Sequence, residues 1–220
     1  MDNSKKEYKN ILPPIAESFT EIKDLSLDLI EIPFDLMIEN PIVQSIPIVR
    51  TVAGVIKFGI NVRERYLLKK TLVFLSTMNN SNMTQDEIER YKNELLTSPE
   101  KLEKELGRAV LLLDRQIDIE KSKMLGNFYI HFIKGNINWD KFCELSSILD
   151  SILIQDIKRL DEVIDKDNIS KQFKGNIEEQ RLASYGLLKS INHTMYNMGN
   201  GTSYIISDLG KEFVKYNRYS

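Results

Sequence analysis

The sequence predicts a mainly α protein: a helical bundle with a long N-terminal helical hairpin and a small C-terminal α+β unit. Three observations predict it. Apolar residues recur at helical spacing through most of the first 165 positions. Helix-start signals such as Thr84-Gln-Asp-Glu87 and Ser98-Pro99-Glu100 follow polar loops. After the polar run Asp165–Lys171 the texture changes, and an extended segment at 190–198 precedes the turn Gly199-Asn-Gly201. The expected organisation is 1–80 (long helices, acidic and apolar, then basic), 81–165 (helical bundle) and 166–220 (the α+β unit).

In chain order, residues 14–39 read as one long helix or two joined at Pro33. Residues 47–78 read as a second helical stretch broken near Gly59-Ile-Asn61. Met78–Asn82 is a loop, and Thr84 opens a helix to about Leu96. Ser98 caps the next helix, with Pro99 at its first position and Leu102, Leu106, Val110 and Leu113 on one side. A helix over about 119–134 ends at Gly135, and another runs from Asn138 to about Val163. Ile177–Leu188 is helical, 190–198 and Thr202–Ile206 pair as a hairpin, and Ser207 caps a last helix to about Tyr216.

The chain has 220 residues, a net charge of −2, one cysteine and two histidines. A disulfide framework is therefore excluded, and a reducing cytoplasm is the default expectation. No P-loop, GxGxxG, HExxH or paired CxxC is present. His131 lies on a helical apolar pattern, His193 in an expected strand, and Cys143 in a helix where nothing nearby would lower its pKa. No catalytic residue, metal site or cofactor is expected, and the chain reads as non-enzymatic. The start is polar, without an apolar signal core, and no uncharged apolar run of about 18 residues occurs. The expected location is cytoplasmic or peripheral at the inner face of a bacterial cell membrane, not secreted.

Charge is segregated along the chain. Between residues 14 and 39 the acids are Glu17, Glu21, Asp24, Asp28, Glu31, Asp35 and Glu39, spaced by threes and fours, with Lys23 the only base. On a continuous helix they form one straight row beside an unusually wide apolar arc. Three readings follow: a solvated face, an acid-lined pore in a ring of subunits, or a buried oligomeric interface. The pore reading needs length and company. Residues 14–39 as a helix would span about 39 Å, enough for a hydrocarbon core, whereas one copy alone would pay on the order of 20 kcal/mol to insert its acids. A basic block follows, with Arg63, Arg65, Lys69 and Lys70 at its centre, and it invites pairing with the acidic segment in cis.

The last quarter, from residue 168, carries a net +3 with interleaved tyrosines. Lys174, Arg181, Lys189 and Lys211, together with the basic block, are the candidate nucleic-acid contacts. Gly186-Leu-Leu188 and Tyr204-Ile-Ile-Ser-Asp-Leu-Gly210 resemble the pattern of many bacterial winged-helix domains over about 40 residues, with Ser207 where threonine is usual. The resemblance implies a winged-helix-like unit that binds either nucleic acid or protein.

The runs Ile46–Val55, Arg63–Lys70 and Glu103–Arg108 resemble small helical proteins of bacterial and prophage defence loci, of the abortive-infection Abi-alpha type, and the membrane effector of Hailong-type antiphage systems. The resemblance implies a channel-like homo-oligomer, membrane association when active, a partner protein from the same operon, and silencing by a bound ligand such as single-stranded DNA. The expected function is therefore a membrane-acting antiphage effector. The alternative is a winged-helix nucleic-acid-binding regulator with a helical oligomerisation domain.

Overall fold

The computed structural model describes residues 3–22, 31–56, 61–164, 176–191 and 203–218. The protein is mainly helical, with one two-stranded antiparallel sheet near the C-terminus among the described residues. It divides into two compact units, Met1–Phe142 and Cys143–Ser220.

The first unit begins with α1 (Asn3–Glu17), which passes through Pro13 and Pro14 into a 3-10 turn, Ser18–Thr20. Three short helices follow: α2 (Phe34–Glu39), α3 (Pro41–Ser45) and α4 (Pro47–Ile56). Prolines fix both α3 and α4 at their first positions, where a missing N–H costs nothing. Next come α5 (Val62–Asn79), α6 (Gln85–Thr97), α7 (Pro99–Lys101), a π-helical turn at Leu102–Leu106, α8 (Gly107–Arg115) and α9 (Glu120–Ile133). The helix α10 (Trp139–Ser151) contributes its first turn to this unit.

At the centre is α5. Leu68, Leu72, Val73, Phe74, Leu75 and Met78 are all buried, and so are Lys70, Thr71, Ser76 and Thr77 between them. The hydroxyls there are satisfied locally: Thr71 Oγ1 donates to the Leu67 carbonyl, and Thr77 Oγ1 and Ser76 Oγ both donate to Val73 O. Helix α9 packs directly on α5, and Gly126 permits the approach, since a Cβ there would lie 3.0 Å from Thr77 Cβ. Around this contact Tyr129 meets Phe74 and Phe142 edge to face at 5.3 and 5.5 Å. The start signals hold: Thr84 with Glu87 forms a capping box, and Ser98 Oγ accepts from Lys101 N. A second capping box, Asn61 with Glu64, opens α5.

The second unit holds the rest of α10, α11 (Ile154–Ile164), α12 (Ile177–Ser184), β1 (Leu188–Ile191), β2 (Ser203–Ile206) and α13 (Asp208–Asn217). The strands pair antiparallel with Leu188 opposite Ile206 and Ile191 opposite Ser203. One polar knot ties the sheet to both flanking helices. Gly186 turns at φ 75°, a left-handed conformation that glycine tolerates. The Ser207 hydroxyl donates to Gly186 O at 2.6 Å and accepts from Gly210 N at 2.9 Å, capping α13. Gly210 then lies so close to the Leu187 carbonyl that a Cβ would stand 2.2 Å from its oxygen.

Three expectations need correction. The first helix does not begin at Pro14 and run to 39; it covers Asn3–Glu17, and residues 21–22 and 31–33 are not α-helical. Ser18 explains the stop, because its hydroxyl donates to Pro14 O at 2.7 Å and accepts from Ile48 N at 3.1 Å, so the backbone is captured by α4. Pro33 does mark a boundary, as the residue before α2. Secondly, the single helix expected from Asn138 to Val163 is two, α10 and α11. Ile152 is fully buried at the break, and the Tyr185 hydroxyl donates to Ser151 O. Thirdly, the first strand starts at Leu188, two residues early. The turn Gly199-Asn-Gly201, His193 and the run 165–171 lie outside the described residues.

The Ser207 knot yields a measurable expectation. Gly210→Ala forces a methyl into the Leu187 carbonyl and is expected to cost about 1–3 kcal/mol or more. Ser207→Ala loses the cap and is expected to cost about 1–2 kcal/mol. Urea unfolding, together with faster amide exchange in α13 and β1, reads both.

Candidate functional site

The strongest candidate is the acidic–apolar segment and the clasp that holds it. Ile15, Ala16, Phe19 and Ile22 are buried to 1% exposure or less, and Ser18 is buried with them. Phe19 lies parallel to the Tyr91 ring of α6, 6.3 Å between centroids. Beside it, Lys92 Nζ donates to Thr20 Oγ1 at 3.2 Å. On the other side of Tyr91 its hydroxyl donates to Glu105 Oε2 at 2.6 Å, and the Tyr129 hydroxyl lies 2.8 Å from it. Because Tyr91 spends its proton on Glu105, Tyr129 is the donor of that second bond. Glu105 belongs to the π-helical turn, where Gly107 N bonds back to Leu102 O. Burial holds both phenols far above the ordinary tyrosine pKa, and for Tyr91 the neighbouring Tyr129 and the bond to Glu105 add to it. Tyr91, with Phe19 on its ring and Glu105 and Tyr129 on its hydroxyl, thus connects the N-terminal turn to the aromatic core around α5 and α9.

The acids lie opposite the buried face. Glu17, Glu21, Glu31, Asp35 and Glu39 are all exposed, while Asp24 and Asp28 lie outside the described residues. The described acids sit on α1, two separate turns and α2, so they do not form one straight helical row. Among the described residues no helix is long and apolar enough to cross a membrane, and no group of acidic, histidine or cysteine side chains is placed to hold a metal ion.

The basic block meets the acidic segment at one edge. Arg65 Nη1 pairs with Asp35 Oδ1 at 3.2 Å, and its guanidinium stands 5.5 Å over the Phe34 ring. Lys69 Nζ donates to Ile32 O at 2.7 Å. Arg63 forks onto Asp114, with Nε 2.9 Å from Oδ1 and Nη2 on the second oxygen. Lys70 is 3% exposed and donates to Gln116 O at 2.6 Å and, more weakly, to Asp114 O at 3.4 Å, satisfying carbonyls at the end of α8. Desolvation lowers its pKa, partly opposed by Asp114.

In the second unit Arg181 is held by Asp156, a fully buried carboxylate, through two bonds of 2.6 and 2.8 Å. Arg159 pairs with the buried Glu179 at 3.2 Å. Lys189 and Lys211 both face the exposed Asp208, at 3.6 and 3.2 Å. Lys174 lies outside the described residues. The exposed residues on α12, Ile177, Gln180 and Ser184, carry no base, and the half-buried Arg181 is the one committed to Asp156.

His131 is engaged by Asn136, with its Nδ1 2.9 Å from the amide nitrogen, and Cys143 is half-buried. Sequence reasoning missed Tyr91, Glu105 and Tyr129 because each fits an ordinary helical pattern and they are joined only in the folded unit. The one local signal was a glutamate at a position that the helical period makes internal. No family model, no curated protein and no solved structure matches this chain.

Two outcomes follow from this geometry. Phe19→Ala leaves a void beside Tyr91 and is expected to cost about 3–5 kcal/mol, read as early proteolytic cleavage around residues 15–22. Lys70 has a folded-state pKa below its ordinary 10.5. The unfolded chain therefore binds more protons in the window between those two values, and stability rises with pH there. Set against Lys70→Met as the reference, the wild type is expected to gain stability as pH climbs through that window. A flat difference would remove the desolvation argument.

Proposed function

We propose that this chain is a non-enzymatic, membrane-acting effector of bacterial antiphage defence, and that the described fold is its packed resting form. One observation carries the reading. The acidic–apolar segment turns Ile15, Phe19, Ile22 and Met37 inward and its described acids outward. Its described attachments include the Ser18 bridge to Ile48, the Phe19–Tyr91 stack, Lys92 on Thr20, Lys69 on Ile32 O and the Arg65–Asp35 pair. The resemblance of Ile46–Val55, Arg63–Lys70 and Glu103–Arg108 to abortive-infection effectors supports it further.

In this reading the acids line no lumen at rest. Activation releases the clasp, frees the buried apolar face for lipid and for neighbouring copies, and lets an acid row assemble in a homo-oligomer, where rings of acids favour cations. A ligand controls the change only through different affinity for the two forms. The second unit, whose helix, two-stranded ribbon and helix follow winged-helix order, serves as the sensing module. Single-stranded DNA and a partner protein from the same operon are its candidate ligands. The regulator reading is favoured by the same element order, but Arg181 is committed to Asp156 and the outer side of α12 is not basic.

Inducible expression in bacteria with a membrane-potential dye tests the proposal. The full chain is expected to depolarise the membrane when activated or overproduced, and a chain lacking residues 1–45 is expected to be silent. Glu17→Lys, Glu21→Lys, Glu31→Lys and Glu39→Lys together change only exposed positions, and are expected to reverse the preference of the leak from cations to anions. A full chain that never depolarises, or a leak indifferent to these four reversals, would overturn the proposal. Salt-steep duplex binding without depolarisation would instead establish the regulator.

A further inference from the structure

A cavity of about 340 Å³ lies in the first unit between α1, α4 and α5, with Asp114 of α8 at its edge. That size falls within the range of small-molecule sites. Its walls are aliphatic: Ile11 and Ile15 from α1, Ile48 and Val52 from α4, Leu67 and Leu68 from α5. Among the described residues no aromatic ring lines it, so they offer no platform for stacking a base or other flat ring. Most of the polar groups on the wall are engaged by the chain itself. Arg63 is forked onto Asp114, and Asn61 and Glu64 close a capping box. Thr51 Oγ1 donates to Pro47 O at 2.9 Å and Thr71 Oγ1 to Leu67 O at 2.8 Å. An occupant therefore draws its affinity from apolar burial. A charged head would have to break the Arg63–Asp114 fork or remain in water.

We infer that this cavity is a binding site for one hydrocarbon chain of a single-chain amphiphile, the polar head staying at the mouth in solvent. The inference is independent of the effector reading. Its physical consequence is local: an occupant touches α1, α4 and α5 together, so binding stabilises the attachment of α1 by mass action.

The test uses the full chain labelled in its isoleucine methyl groups and titrated with octan-1-ol and, separately, sodium octanoate, each below its micellar concentration. The expected result is a saturable shift of the Ile11, Ile15 and Ile48 methyls, with the alcohol and the carboxylate binding within about tenfold of each other. Val52→Phe and Leu67→Phe, which fill the cavity from two different helices, are expected to weaken binding by more than about tenfold. The wild-type titration stands even where one variant fails to fold. Shifts that never saturate, shifts spread over isoleucines remote from the cavity, or an absolute requirement for the carboxylate would overturn the inference. Membrane depolarisation plays no part in this readout, so its failure and that of the effector reading are separable.

Discussion

A carboxylate at the inner end of a two-tyrosine chain sets the constraint on which the first unit depends. Glu105 is 9% exposed, and its partner is the Tyr91 hydroxyl. An ionised carboxylate with no donor in that position would cost several kcal/mol, so Tyr91 cannot turn away. Holding Tyr91 fixes α6, and Tyr129 on α9 completes its hydrogen bonding from the other side. The outward face of the Tyr91 ring is then a rigid shelf, and Phe19 lies parallel to it. The placement of the N-terminal turn thus follows from a polar requirement in the interior. The π-helical turn belongs to the same constraint, since the extra residue in that turn changes which side chains of the α7–α8 stretch face inward.

Charge segregation along the chain is resolved differently in the two units. Among the described residues of the first, the acidic and basic segments touch through Lys69 on Ile32 O and through Arg65 and Asp35, both well exposed, a pair of small energetic weight. The bases Arg63 and Lys70 instead serve the end of α8. In the second, Asp156 and Glu179 are carboxylates inside the fold, each answered by an arginine. Removing Arg181 leaves a buried charge unpaired, so its loss would unmake the α11–α12 contact before it reported on any ligand. A net charge of −2 conceals this division of labour.

Much of the fold was legible. Thr84 and Ser98 as caps, the break near Asn61, the stop before Gly135, and the order helix, ribbon, helix after 176 were all readable, because each is a local backbone requirement written in one or two residue types. The long helix over 14–39 was not, although its acids recur at 3.6. A segment folded onto a core in short turns also exposes every third or fourth residue, so an outward row needs no continuous helix. All five described acids are exposed, as the period implies, while residues 21–22 and 31–33 are not helical. What interrupts it is Ser18 meeting Ile48, a contact between residues 30 apart that no local window contains. The Asp156–Arg181 and Tyr91–Tyr129 pairings escape sequence reading for the same reason.

The winged-helix pattern illustrates how a recognisable motif divides between fold and function. Gly186, Ser207 and Gly210 are required by backbone geometry: a left-handed turn, a cap shared between two segments, and an approach too close for a Cβ. Any chain that joins a helix, a ribbon and a helix in this way needs them, whatever it binds. The motif therefore carries information about architecture and none about the ligand. Specificity in such a unit rests on side chains outside the knot. Here the exposed ones on α12 are neutral, Arg181 is committed to Asp156, and the described bases on β1 and α13 nearest the knot, Lys189 and Lys211, both converge on Asp208. A nucleic acid engaging this surface must compete with Asp208 for both lysines. Binding through them would be weak and strongly salt-dependent, a character suited to a sensor that must let go and poorly suited to a stable operator-bound regulator.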